Sequence, residues 1–144
     1  MTIRWEPYLG VDLQPVSQSD LSRLEHEWGV RLPDEYKTLV SAYQGMTPEP
    51  AVFDVGKGTN VFSVLLTIKI HEGRESYSVE RAYEVLKPHL PAGLFPFATT
   101  SGGEFICFDY RINSKQPGIA FTTVETFIYP IADSLTNFLH QLHE

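Results

Sequence analysis

Apolar residues recur at helical spacing near the start of the chain. Leu21 and Leu24 fall on one face of a predicted helix. Ser17 precedes them as an N-cap residue, and Asp20 stands at the capping-box position three residues later. Gly29 follows as a natural helix stop. The pattern therefore predicts a first helix between residues 17 and 29.

Three further helices are predicted from the same periodicity. Pro33 is favoured at a first helical position, and Gly45 stands where a left-handed cap is expected. The apolar stripe of this second helix consists of Tyr36, Leu39, Val40 and Tyr43. A third helix is predicted over 78–87, and a last one is predicted to begin at Pro130. The buried stripe of the last helix is predicted to be Ile131, Leu135, Phe138, Leu139 and Leu142.

Between the second and last helices, apart from the third helix, the pattern changes from helical to β. Residues 61–70 are rich in β-branched and apolar side chains and predict one or two strands. Further short strands are predicted over 94–99, 104–110, 119–124 and 126–129. Segment 46–60 carries two prolines and two glycines and is predicted to be a loop. We therefore expect an α+β fold: one domain over 1–144, with a mainly antiparallel sheet flanked by N-terminal helices and a closing C-terminal helix.

The charge balance narrows the class of partner. Eleven Lys and Arg residues against eighteen Asp and Glu residues leave a net charge of −7. An acidic surface repels nucleic-acid phosphates and anionic lipids, and it attracts basic proteins. The same charge is also explained by solubility alone. We expect a protein partner, with no nucleic-acid or membrane partner.

Cysteine content and hydropathy bear on the compartment. The single cysteine excludes an internal disulfide, and the first residues lack the apolar core of a signal peptide. The longest apolar run, 61–66, is too short to span a bilayer. These features predict a cytoplasmic protein.

Candidate catalytic and metal-binding motifs are incomplete. The segment 56–59, Gly-Lys-Gly-Thr, lacks the first glycine and the following helix of a phosphate-binding loop, so a turn is the better interpretation. His140 and His143 are three residues apart and could share a helix face, but two ligands do not make a zinc site. Ser101 lacks the glycine pattern of a nucleophile elbow, and Cys107 is expected to be a buried, inert thiol. We predict no catalytic residues, no metal and no cofactor.

Asp109 is an unusual carboxylate because it lies between Phe108 and Tyr110 in an apolar strand. A buried carboxylate requires hydrogen bonds. Two interpretations stay open: Asp109 caps a loop or accepts backbone N–H groups, or it binds a ligand. Along the same strand, alternation predicts Ile106 and Phe108 on one sheet face, with Phe105 and Cys107 on the other.

Four stretches in this order resemble the SUKH superfamily. The resemblance covers residues 17–142 and rests on the motifs Leu-Pro-Asp-Glu-Tyr-Lys at 32–37, Leu-Phe-Pro-Phe-Ala at 94–98, Cys-Phe-Asp-Tyr at 107–110 and Ile-Ala-Asp-Ser-Leu at 131–135. It implies an α+β fold without established catalytic residues. Fungal members regulate cell-wall assembly, and bacterial members mostly serve as immunity proteins that neutralise protein toxins, often nucleases. Gln44-Gly45 replaces the usual Asn-Gly of the family.

The resemblance and the acidic charge together favour an immunity-type protein that occludes a basic toxin. The alternative is an intracellular regulatory scaffold or interaction module of the same fold, and an enzyme is less favoured than either. Glu104 is the first predicted partner contact, because it follows a Gly-Gly turn and is expected to be exposed at a hairpin end. Glu72 and Glu75, which flank Gly73 in a loop-like stretch, are predicted next.

Overall fold

A computed structural model describes residues 2–123, 125 and 127–144. The described residues form four α-helices and eight β-strands. The helices are α1 (Gln18–Trp28), α2 (Asp34–Tyr43), α3 (Val79–Leu86) and α4 (Leu135–His140). The strands are β1 (Arg4–Pro7), β2 (Met46–Glu49), β3 (Val52–Val55), β4 (Gly58–Leu65), β5 (Leu94–Thr100), β6 (Phe105–Asp109), β7 (Gly118–Thr122) and β8 (Ile128–Ala132). Within these residues no helix combines the length and apolar character needed to cross a membrane.

The capping residues explain where the first helices begin and end. The Asp20 N–H donates to Ser17 Oγ at 3.1 Å, and the Ser17 N–H donates to Asp20 Oδ2 at 2.9 Å. Gly29 ends α1 in the left-handed conformation with a φ of 69°. Pro33 stands immediately before α2 as its N-cap residue. The predicted first and second helices are therefore confirmed.

Six strands form one antiparallel sheet in the order β3-β4-β5-β6-β7-β8, which is also their order in the chain. The hairpin predicted at the Gly-Gly turn before Glu104 is confirmed. Its strands β5 and β6 pair, and Phe95 lies opposite Phe108. β6 pairs with β7 without a bulge, so Ile106 and Phe108 share one face and Phe105 and Cys107 the other, as predicted. β1 and β2 form a separate two-stranded sheet.

The prediction of a loop over 46–60 is wrong. This segment contains β2, β3 and the start of β4, and only Gly56 and Lys57 between β3 and β4 form a turn. The two prolines in this segment are the reason why its sequence did not predict strands. Pro48 is tolerated inside β2 because that strand pairs only with β1 and so needs donors on one edge alone. Segment 46–60 thus supplies β2 to the two-stranded sheet, and β3 and the start of β4 to the six-stranded sheet.

The predicted start of the last helix at Pro130 is also wrong. Pro130 and Ile131 belong to β8, which lies at the edge of the sheet, where proline is tolerated. The helix begins at Leu135 instead, and Ser134 caps it by accepting the Asn137 N–H at 3.1 Å. The end of the predicted strand 119–124 and the start of 126–129 fall on residues 124 and 126, which lie outside the described residues.

Aromatic side chains from the sheet and helices form the core. Tyr36 of α2 lies with its ring centroid 5.0 Å from that of Phe108, which stacks on Phe97 at 4.3 Å. Phe138 of α4 contacts Phe53 of β3 at 5.5 Å between ring centroids. All five side chains are buried. Side chains of α2 and α4 therefore pack on aromatic residues of the sheet to form the core.

Candidate partner-binding surface

The structure assigns structural roles to two residues with candidate chemistry. The Cys107 thiol is buried, and its Sγ lies 3.3 Å from Thr122 Oγ1. Burial raises the pKa of Cys107 to about 12, so the thiol stays protonated and unreactive. The His143 ring contacts Asp54, with 3.0 Å between Nε2 and Oδ1. The main chain of His143 bonds to Val52. Within the described residues no group of three His, Cys, Asp or Glu side chains is arranged to hold a metal ion.

Asp109 caps a loop, which was one of the two interpretations of this carboxylate. Its Oδ1 accepts the Arg111 N–H at 3.0 Å and the Arg111 Nε at 3.0 Å, and its Oδ2 accepts Nη2 at 2.9 Å. Burial favours a higher pKa for Asp109, but the Arg111 side-chain and backbone bonds outweigh it and lower the pKa below its ordinary value. The carboxylate is thus already satisfied within the chain.

Glu104, the first predicted partner contact, is less accessible than expected. Its side chain is half-buried, and Oε1 accepts the Thr100 hydroxyl at 2.6 Å. The Glu104 N–H also donates to Thr100 Oγ1 at 3.1 Å. The expectation that this side chain stands exposed at the hairpin end is therefore wrong, because the hairpin's own threonine engages it.

Glu72 and Glu75 lie in a different part of the molecule from Glu104. The β4–β5 register places Phe62 opposite Thr100, next to Glu104, whereas Glu72 follows the far end of β4. Phe62 lies three residues before the end of β4 at Leu65, which is roughly 10 Å along the strand at about 3.3 Å per residue, and the chain continues beyond Leu65 before it reaches Glu72. The structure does not bring the three predicted carboxylates into one site.

The loop that carries Glu72 and Glu75 has a defined shape. Glu72 is exposed in a turn, and Glu75 opens a single turn of 3₁₀ helix, Glu75–Tyr77. The backbone N–H groups of Glu75 and Gly73 lower the pKa of the Glu75 carboxyl. This carboxylate is therefore ionised across the physiological pH range.

An N-terminal segment, residues 8–14, lies along this loop. Arg74 Nε donates to the Leu9 carbonyl at 3.0 Å, and the Gln14 N–H donates to His71 Nε2 at 2.9 Å. His71 Nδ1 lies 3.0 Å from the Lys69 carbonyl, so the ring bonds to the main chain through both of its nitrogens. Side chains of the loop thus hold the main chain of the segment.

Gln44 completes this attachment from α2. Its Nε2 donates to the Gln14 carbonyl at 2.7 Å, and its Oε1 accepts the Ile68 N–H at 3.1 Å. Within the segment, the Leu9 side chain is buried. Gly45 leaves room for Leu13, because a Cβ at Gly45 would lie 2.6 Å from Leu13 Cδ1. The segment is thus fixed at both ends without regular secondary structure.

The outer side of this assembly combines apolar and acidic groups. Tyr8, Ile70 and Val11 are 51%, 43% and 39% exposed. Glu72 is exposed in the loop whose His71 and Arg74 bond to the segment that carries Tyr8 and Val11, and we call these four residues the Tyr8 surface. The Tyr8 ring meets Tyr77 edge-on, with centroids 6.1 Å apart. A partly exposed aromatic side chain on an ordered loop is a common feature of protein interfaces.

A cleft of about 500 Å³ lies on the other side of Glu75. Glu75 and Glu84 line it together with Val85, which is 53% exposed. Arg81 lies between the acids, with its Nε 3.8 Å from Glu84 Oε2. The cleft extends the acidic character of the Tyr8 surface along α3.

The sequence predictions include Glu72 and Glu75 of this candidate surface but not Tyr8, Val11 and Ile70. Residues 8–14 show neither helical nor strand periodicity, so no pattern connected them to the loop. The one signal in the sequence is a pair of leucines, Leu9 and Leu13, outside any predicted element. These leucines required a burial site, and the structure provides it against Gly45.

The fold and the surface together define a class of protein: an α+β domain in which an antiparallel meander, covered by helices, carries an ordered, partly apolar loop surface. The sequence profile of the SMI1 / KNR4 family (SUKH-1) matches residues 15–141. The chain therefore belongs to this family, as its resemblance to the SUKH superfamily predicted. A search of curated proteins finds no match to the chain. The segment that carries Tyr8 and Val11 precedes the matched residues.

Proposed function

We propose that this protein is an immunity-type member of its family, which binds a basic protein toxin of the nuclease kind in the cytoplasm and neutralises it by occlusion. The proposal involves no catalytic step. Carboxylates of the protein take the place of substrate phosphates at the basic active site of the toxin, and exposed aromatic side chains supply most of the affinity.

The observation that carries the proposal is the exposed Glu72 in the loop that holds the segment containing the half-exposed Tyr8. Within the described part of the chain, Glu72 and Asp12 make no ion pair. The nearby cations are occupied, since Lys69 pairs with Asp20 at 3.5 Å and Arg74 bonds to main-chain carbonyls. Glu72 and Asp12 are therefore available to cations of a partner.

A pair of charge-matched double variants tests the proposal. Glu72→Lys with Glu75→Lys reverses the proposed contacts, and Glu27→Lys with Glu49→Lys makes the same charge change at exposed positions elsewhere. The partner is the toxin encoded next to this chain, assayed by co-expression survival and by stopped-flow association. We expect the first variant to fold, lose protection and associate at least tenfold more slowly at low salt, because electrostatic steering is lost. The control variant should protect.

Full protection by a folded Glu72/Glu75 variant would contradict this surface. Equal loss of protection in both double variants would show that net charge, and not this surface, determines protection. If the adjacent gene product does not bind at all, the regulatory scaffold becomes the better hypothesis. Glu104→Lys alone should have little effect, because Glu104 is engaged by Thr100 and lies at the other end of β4.

A further inference from the structure

A second cleft, of about 650 Å³, lies between the end of α1, the start of α2 and the loop that follows β6. Its charged and polar side chains are Glu25, His26, Arg31, Lys37 and Ser114. None of them belongs to the Tyr8 surface or to the cleft beside Glu75. We infer that this second cleft binds a carboxylate ligand through the Arg31 guanidinium, a role separate from the proposed toxin contact.

The cleft carries a positive charge, although the chain as a whole is acidic. Glu25 is already engaged within the chain, because its Oε2 accepts the Leu32 N–H at 2.7 Å and lies 3.1 Å from Lys37 Nζ. Lys37 balances the charge of Glu25, and within the described residues Arg31 makes no ion pair. The charge of Arg31 is therefore uncompensated in a chain whose net charge is −7.

The polar groups that remain available around Arg31 are hydrogen-bond donors. The guanidinium presents a planar fork of N–H groups that matches the two oxygens of a carboxylate. The Ser114 hydroxyl and a ring N–H of His26 are further donors on the lining. A ligand for these groups must bring acceptors and a single negative charge. A carboxylate does so, whereas a phosphate carries about −1.5 to −2 at neutral pH and would leave negative charge unmatched.

The main chain that carries Arg31 is fixed by side chains from two other elements. The peptide group between Arg31 and Leu32 is held at both of its polar atoms. Its carbonyl oxygen accepts the Tyr110 hydroxyl at 2.7 Å, and its N–H donates to Glu25 Oε2 at 2.7 Å. The Arg31 side chain is nevertheless exposed. A side chain displayed from a fixed peptide group loses less conformational entropy on binding than one on a mobile loop.

The remainder of the lining indicates what the carboxylate is attached to. Gly29 and the half-buried Val30 contribute an apolar part beside Arg31. Sites for small ligands typically enclose roughly 300–1,000 Å³, so the cleft has room for more than the carboxylate alone. The ligand is thus a carboxylate on a small apolar body. A free organic acid and an acidic side chain of a protein share this chemistry.

An NMR titration with benzoate tests the inference, with benzamide as a neutral control of the same shape. We expect saturable shifts at millimolar concentration for the amides of Val30, Arg31 and Ser114. Arg31→Gln should weaken the binding about tenfold or more, because both the charge and the fork are lost. Arg31→Lys should weaken it several-fold, because only the fork is lost. Arg23→Gln, which makes the same charge change at an exposed side chain paired with Glu27, should bind as wild type.

A second probe distinguishes the two sources of the carboxylate. Tighter binding of N-acetyl-glutamate methylamide than of benzoate would assign the cleft to an acidic side chain of a protein, and the reverse order would assign it to a free acid. The inference is overturned if neither acid binds, if benzamide or inorganic phosphate binds as tightly as the acids, or if a folded Arg31→Gln variant binds unchanged. The Glu72/Glu75 reversal should bind benzoate as wild type, so the two proposals can fail separately.

Discussion

The two ends of the chain are attached to the domain in different ways. At the C-terminal end, His143 and Val52 exchange main-chain hydrogen bonds of 2.9 and 3.0 Å, which continue the β ladder beyond β3. At the N-terminal end, the main chain of residues 8–14 is bonded by the side chains of Arg74, His71 and Gln44. The C-terminal end bonds to β3 through its main chain, whereas the N-terminal segment is held by side chains of other elements.

This difference has a consequence for function. A main-chain ladder tolerates many side chains, so the C-terminal attachment is a property of the fold. An attachment through particular side chains depends on each of them, but it leaves the side chains of the attached segment free. Tyr8 and Val11 are therefore presented outward while Leu9 is buried. The N-terminal segment is the part of the chain in which contact residues can change without disturbing the core.

The largest expected effect follows from truncating Phe138, the α4 side chain that packs against β3 near the C-terminal end. Phe138→Ala should lower the free energy of unfolding by about 3–5 kcal/mol, because it leaves a cavity beside the rings of Phe53 and Phe62. Chemical denaturation measures this change, and the exposed Phe127→Ala serves as control. A denaturation midpoint equal to wild type would show that α4 does not anchor this end.

A smaller, local effect is expected at the N-terminal end. His71→Leu leaves the Gln14 N–H without its acceptor, which costs about 0.5–1.5 kcal/mol for a partly buried hydrogen bond. Hydrogen exchange at Gln14 should accelerate strongly, whereas exchange at Val52, bonded to His143, should change little. Equal acceleration at both amides would mean that the two ends do not open separately.

The smallest effect concerns pH at the C-terminal end. The carbonyl of Glu144 and then the carboxylate of Asp54 raise the pKa of His143. The raised pKa means that protonated His143 stabilises the fold; this contribution is fully present below the ordinary histidine value and is lost as pH rises through the folded pKa. Asp54→Asn should therefore reduce stability at about pH 5.5 and have no effect at about pH 8.5. A stability difference that grows with pH would contradict the direction of this shift.

Elements with local signals were predictable from the sequence. Ser17, Asp20 and Gly29 fix the limits of α1 through bonds within a few residues, and alternation in β6 assigned its two faces correctly. The predictions at Pro48 and Pro130 were wrong, because a proline breaks a strand only where both edges of that strand are paired. In β2 and β8 one edge lacks a neighbouring strand, which depends on the sheet order and cannot be read locally.

The candidate surface was predictable only in part, for the same reason. Glu72 and Glu75 could be identified as loop carboxylates, but the approach of residues 8–14 depends on His71 and Gln44, which are far from that segment in sequence. Polar side chains that bond to distant main chain leave no periodic pattern. Glu104 was misjudged because its bond to Thr100 is specific to the geometry of that hairpin.

The meander order of the six-stranded sheet also bears on how the chain acquires its structure during synthesis. Each strand from β4 to β8 pairs with the strand made just before it, so hairpins can add one at a time as the ribosome releases them. The pairing of Val52 with His143 is the exception, because it must wait for the final residues. Until then the outer edge of β3 is open to strands of neighbouring nascent chains, and rapid closure by the C-terminal residues limits aggregation.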